Sequence, residues 1–264
     1  MSLDNTLKAF GARLDEITLH QEFIAGSLKI GRDAARFWDY AALAKAGEIK
    51  TLVDGHRTGC RQVRPEDLWG ALSVQLFAAV EWFVGQILVK YVHQVSDSVE
   101  SFDKLPEPVA RNHVTLIGKA LSKVYEAPTH ERIDVDQVFR TLSGCVNGSK
   151  TFELNDYVFA FYLPNIDSNS LAKCFLRIGL KLDWDEVGKN TDLQQLFGET
   201  STRKTGKASS KFLDKCANER NAVAHRGDGS ATIQLEDLSK QLTFFRYLSS
   251  SISKLVDAQL DSIE

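Results

Sequence analysis

The chain has 264 residues, enough for one large domain or for a core with an appendage, and it can bury most of the apolar surface its unfolded form exposes. With 32 Lys and Arg against 35 Asp and Glu, the formal net charge is −3, so there is no global attraction to nucleic acid and any such contact must be local. The four cysteines, Cys60, Cys145, Cys174 and Cys216, stand far apart without a CxxC pair or a histidine at metal-ligand spacing, which suggests neither a zinc site nor a disulfide framework and fits a reducing cytoplasm.

The first residues, Met-Ser-Leu-Asp-Asn, are polar and acidic where an export signal would be basic and then apolar, so a cytoplasmic protein is expected. Leu3, Leu7, Phe10, Leu14, Ile17, Ile24 and Leu28 recur at alternating spacings of four and three, with Gln21 at the polar seam position; this predicts one long helix to Leu28. A second helix is expected from Asp33 to Leu52, weakened by Gly47 and ending near Asp54-Gly55. Residues 1–60 thus read as a helical hairpin beside a main domain of residues 61–264. The hairpin would pack on that domain or on a second subunit.

Arg64-Pro65-Glu66-Asp67 places proline and acids at a helix start, and Leu68 to Val95 follows as the most apolar segment of the chain. Gln75, Glu81, Gln86 and Lys90 interrupt it too often for a lipid-spanning helix, so it reads as the core helix and no membrane partner is expected. After Pro106 and Pro108, Val109 to Val124 reads as an amphipathic helix. Between 127 and 199 the signals weaken: Ile133 to Cys145 reads helical, Tyr157 to Leu163 extended, and Ser168 to Leu180 helical again. Lys211 to Ala224 gives a helix stopped by Gly227-Asp228-Gly229, and Leu235 to Leu260 closes the chain. The fold class expected is all-α, with no sheet beyond a short hairpin in the middle region.

One segment carries a chemical signature: Arg220-Asn221-Ala222-Val223-Ala224-His225. Cutting RNA without metal needs a base for the 2′-hydroxyl, an acid for the departing 5′-oxygen and a cation for charge growing on the phosphorus oxygens. His225 can move the proton and Arg220 can supply a fixed positive fork. On a regular helix these two residues point about 140° apart, so the helix is expected to loosen or end within the segment. A symmetric dimer that brings two copies together would supply the second proton-transfer group.

Glu219-Arg220-Asn221-Ala222-Val223-Ala224-His225-Arg226-Gly227 resembles the signature of the HEPN superfamily, in its RiboL-PSP-HEPN subgroup, with Leu68 to Val95 similar to the first core helix and Leu235 to Leu260 to the last. The resemblance covers about Pro65 to Glu264. It implies a dimerising helical bundle with a composite cleft and an endoribonuclease activity that leaves a 2′,3′-cyclic phosphate, needing no cofactor and no metal. It also implies service in toxin–antitoxin, abortive-infection or RNA-processing systems, with an antitoxin or defence partner in view. Arg220 and His225 carry over as catalytic, and Asn221 as the polar residue that orients them. The tyrosine that some family toxins carry two places after the histidine is replaced by Gly227, which puts control by its modification in doubt.

On the core helix Gln75, Gln86 and Lys90 share an arc of about 60°, and Glu81 points away among Val74, Phe77, Val84 and Leu88. A buried carboxylate there needs a partner; Arg220 across the bundle could be it, or Glu81 could reach solvent at a subunit edge. Arg203, Lys204, Lys207 and Lys211 form a basic, flexible-looking stretch just upstream of the motif, either a solvated loop or a set of RNA contacts. His20, His56, His93, His113 and His130 have no companion pattern and read as surface or interface histidines. Asp183-Trp184-Asp185-Glu186 reads as capping chemistry rather than a cation site. No phosphate-binding glycine loop is present, which disfavours nucleotide hydrolysis. The competing function is a non-catalytic helical interaction module, such as an antitoxin or immunity partner.

Overall fold

The computed structural model describes residues 3–37, 64–126, 134–146, 152–161, 163, 165–225 and 233–262. They form ten α-helices and one short 3-10 turn, with no strand among the described residues. In chain order these are α1 (Leu3–Phe37), α2 (Pro65–Ser98), α3 (Glu107–Glu126), α4 (Val135–Val146), α5 (Tyr157–Phe161), α6 (Ser168–Leu176), α7 (Trp184–Val187), α8 (Thr191–Phe197), α9 (Thr202–His225) and α10 (Leu235–Leu260).

The all-α expectation holds, and α2 is its axis. Arg64 stands in extended backbone, Pro65 opens the helix, and Glu66 and Asp67 fill its first turn, where acids suit the amino end of the dipole. By length and composition α2 could cross a membrane, yet most of its apolar surface is buried inside the bundle. α1, α9, α10 and α5 pack around it. Phe10 of α1 meets the Phe83 ring at 4.7 Å, and Phe77 meets Phe245 of α10 edge-on at 5.3 Å. Such tilted contacts add to area burial because ring edges and faces carry opposite partial charge.

α1 behaves as its spacing predicts but does not stop at Leu28; it runs unbroken to Phe37. Leu3, Phe10, Leu14, Ile17 and Leu28 join the same core cluster as α2 and α10, and Gln21 donates to Ser239 Oγ at 2.5 Å. The second helix, expected to start at Asp33, has no separate start: Asp33 to Phe37 continue α1, and its remainder lies outside the described residues.

The middle region corrects one expectation. Tyr157 to Phe161 is a helical turn, not an extended segment. Aromatic and β-branched content suggested a strand, but Val158 and Phe159 are adjacent and both buried, which strand alternation forbids on a half-solvated sheet. The turn wedges between α2 and α3, where Phe159 stacks on His113. α6 ends at Leu176, short of the expected Leu180, because Gly179 takes φ 81° and turns the chain. Asp183 is the N-cap of α7, accepting from the Asp185 N–H at 2.8 Å.

The basic stretch upstream of the motif is likewise not a loop. It is the first half of α9, whose Thr205, Gly206 and Ser209 are buried. The small residues that read as flexibility are a packing surface. A Cβ on Gly206 would stand 2.0 Å from the Trp184 carbonyl oxygen, and one on Gly188 2.0 Å from that of Thr202, so α7 and α9 touch backbone to backbone.

Candidate functional site

Arg220 and His225 both lie on α9, which keeps its helical backbone through the whole motif and ends at His225. Of the expected loosening or ending within the segment, no loosening is seen, and the helix reaches the segment's last residue. Five positions of regular helix turn the two side chains about 140° apart. Helical side chains also lean toward the amino end, which carries the long Arg220 side chain back along α9 and away from His225. Within one chain the two groups therefore do not converge.

Arg220 faces the bundle, with its side chain 13 % exposed. Its Nη2 donates to Glu81 Oε1 of α2. Its Nη1 donates to Asn165 Oδ1 and to Asn221 Oδ1, each at 3.1 Å, and the guanidinium carbon lies 5.2 Å from the Phe77 ring centre. Of the five N–H donors a guanidinium carries, these bonds use three, leaving the Nε–H and one Nη2–H without a partner among the described residues. Glu81 is 34 % exposed, and burial pushes its carboxyl above the usual range, outweighing the opposing pull of Arg220. The structure thus brings together Arg220, Asn221 and Glu81, and adds Asn165 and Phe77, which the sequence reading did not single out.

His225 is exposed at the carboxyl end of α9, where the helix dipole favours positive charge. On the opposite side of α9, Val223 packs against Gly70 of α2 so closely that a Cβ on Gly70 would meet Val223 Cγ1 at 3.0 Å. A polar chain fixes the same end of α9 from the other side. Buried Ser73 donates to Gln241 Oε1 at 3.0 Å, Gln241 Nε2 donates to Glu219 Oε2 at 3.0 Å, and Lys215 bridges Glu219 and Asp237 at 3.3 and 3.2 Å. Gln241 breaks the apolar face of α10, the kind of polar intrusion that marks a buried bond, and that signal was available in the sequence.

Asn165 is placed by its own turn. Its carbonyl accepts from Ser170 Oγ at 2.6 Å, Asp167 and Ser170 form a capping box at the start of α6, and Asp214 of α9 accepts from the Ser168 N–H at 2.8 Å and the Ser168 hydroxyl at 3.0 Å. α6 and α9 are thereby tied one side-chain bond from Arg220. Arg203, Lys204, Lys207 and Lys211 are all exposed on the amino-terminal half of α9, and none pairs with an acid among the described residues. Among the described residues no group of three or more His, Cys, Asp or Glu side chains converges as a metal site would require.

A helical bundle with an Arg-Asn pair and a histidine on the helix before the last is the arrangement of a HEPN module. The RiboL-PSP-HEPN family model matches residues 41–258, and the chain belongs to that family. No curated protein and no solved structure matches the chain.

Proposed function

We propose that the protein is a metal-independent endoribonuclease that acts as a homodimer, in a toxin–antitoxin or anti-phage setting with a partner protein that restrains it. The observation that carries this reading is the pairing of a pre-oriented, half-occupied guanidinium at Arg220 with a solvent-facing His225 on one helix. The 2′-hydroxyl gives its proton to one imidazole and attacks phosphorus; the bond to the 5′-oxygen breaks, and a second imidazole protonates that oxygen, leaving a 2′,3′-cyclic phosphate. One chain offers one His225, so the second is that of a symmetry-related copy. Arg220, with two N–H groups to spare, meets the negative charge that grows on the phosphorus oxygens, and Asn221 and Glu81 keep it oriented. Arg203, Lys204, Lys207 and Lys211 hold the RNA backbone by charge.

The test is cleavage of RNA in EDTA by wild type and His225→Ala prepared in parallel. Loss of general acid–base catalysis costs about 100- to 10,000-fold, so the variant should leave RNA intact where wild type yields cyclic phosphate ends. Equal cleavage by both removes the reading. A second reading, a non-catalytic interaction module, draws on the burial of Arg220: a guanidinium 13 % exposed and bonded to three side chains also serves to pin α9 to α2 and to the turn before α6.

A further inference from the structure

The exposed cations of α9 and His225 share one face of the helix, an arc of about 100°. At about 100° per residue, Arg203, Lys207, Lys211 and Lys204 fall at about 0°, 40°, 80° and 100° around the axis. His225 returns to about 40°, five turns beyond Lys207 on the same face, and Asn218, also exposed, falls between them at about 60°. The carboxylate inside this arc, that of Asp214, is occupied with Ser168. Lys215, on its edge, is held by Glu219 and Asp237. The four cations are different: they find no acidic partner among the described residues, in a chain whose net charge is −3.

We infer that this face of α9 is a track for a single strand of RNA, with the phosphate to be cut at the His225 end and the strand on one side of it running over Lys211, Lys207, Lys204 and Arg203. The inference rests on the ribonuclease reading and adds a minimum substrate length. At about 1.5 Å of rise per residue, Lys211 is about 21 Å and Arg203 about 33 Å from His225 along the helix. At about 3.4 Å per nucleotide for a stacked strand, those intervals take about six and about ten nucleotides. Shorter oligomers reach His225 without touching the cations. Because exposed lysines meet phosphates and not the sugar hydroxyl, the track holds a deoxy strand as well as a ribo strand, although only the latter carries the 2′-hydroxyl needed for cleavage.

The experiment uses the full chain, with oligoribonucleotides of three to fifteen residues as substrates and oligodeoxynucleotides of the same lengths as inhibitors and as labelled probes for direct binding. In wild type, KM should fall at least tenfold between three and ten nucleotides and then level off, and deoxy strands should inhibit competitively with the same length dependence. In the variant with Arg203, Lys204, Lys207 and Lys211 all changed to Gln, KM and deoxy-strand affinity should no longer depend on length. A wild-type KM independent of length, or a length dependence that survives in the variant, overturns the track. If the protein cuts nothing, the ribonuclease reading fails by itself, and length-dependent binding of deoxy probes that the four substitutions abolish still upholds the track. Binding of polyglutamate in place of both nucleic acids overturns it in favour of an acidic protein partner.

Discussion

Arg220 and His225 are joined in one motif, yet their surroundings predict opposite consequences for stability. His225 is exposed, so His225→Ala should leave the unfolding midpoint within about 0.5 kcal/mol of wild type. Arg220→Ala instead leaves the half-buried Glu81 carboxylate without its cation and should cost about 1–3 kcal/mol, less than a fully buried pair because Glu81 keeps solvent contact. Adding Glu81→Gln should recover part of that loss, and a double-mutant cycle in urea measures it; strict additivity would show that the two side chains do not sense each other. Arg220→Lys keeps the charge but not the planar fork that serves Glu81, Asn165 and Asn221 together, so both stability and any cleavage should fall. His113 is the titrating group the sequence placed wrongly. It is fully buried rather than at a surface, its Nε2 accepts from the Asn155 N–H at 2.9 Å, and its other nitrogen lies 3.4 Å from Cys145 Sγ. A proton on Nε2 would face that N–H, and burial lowers the imidazole from 6.5 to about 4, while it pushes the Cys145 thiol up to about 11. The unfolded chain therefore binds the proton first on acidification. Stability from this group is complete above about pH 6.5 and is lost toward pH 4, by up to about 3 kcal/mol. Denaturant midpoints at pH 7, 5.5 and 4 should fall less steeply in His113→Gln than in wild type; parallel curves would refute the assignment.

At the scale of elements, periodicity carried the long helices and failed where packing overrides composition. α1, α2, α3 and α10 were legible because each repeats its apolar residues over several turns. The turn at Tyr157–Phe161 is too short to show a period, and its helical form comes from the slot between α2 and α3. The start of α9 was illegible for a different reason: Gly206, Ser209 and Ser210 read as loop composition, and only the neighbouring α7 backbone explains why a side chain is forbidden there. In the site, the Arg-Asn and His pattern and the Glu81 carboxylate stood out as residue types, whereas Asn165 lies 55 residues before Arg220 in a turn that nothing local marks as functional. Glycines separate these effects experimentally. Gly206→Ala should destabilise by about 1–3 kcal/mol or more, since its Cβ would overlap a carbonyl that cannot rotate away. Gly26→Ala, in an exposed turn of α1 with nothing within 4 Å of its Cβ, should stabilise by about 0.5–1 kcal/mol. Thermal melts of the two variants should move in opposite directions.

At the scale of the molecule the proposed ribonuclease chemistry asks for two proton transfers where each motif holds one histidine, His225. Arg220 looks inward to α2 and His225 looks outward, about 140° apart around α9. A two-fold axis near the carboxyl end of α9 would supply the second proton-transfer group by bringing two exposed His225 side chains to one substrate, and the protein should then sediment as a dimer. Sedimentation alone does not show that the sites are shared, because a dimer can hold its motifs on opposite faces. Subunit mixing does. If every site needs His225 from both chains, a dimer of one wild-type and one His225→Ala subunit is inactive. Random exchange at equal amounts then leaves about one quarter of the dimers fully wild type, and activity should fall to about one quarter of that of the same total protein. Sites that work independently would keep about one half, since each wild-type chain retains its own. A result near one half, or a protein that stays monomeric at assay concentration, would break the composite site and leave His225 to act as base and acid in turn.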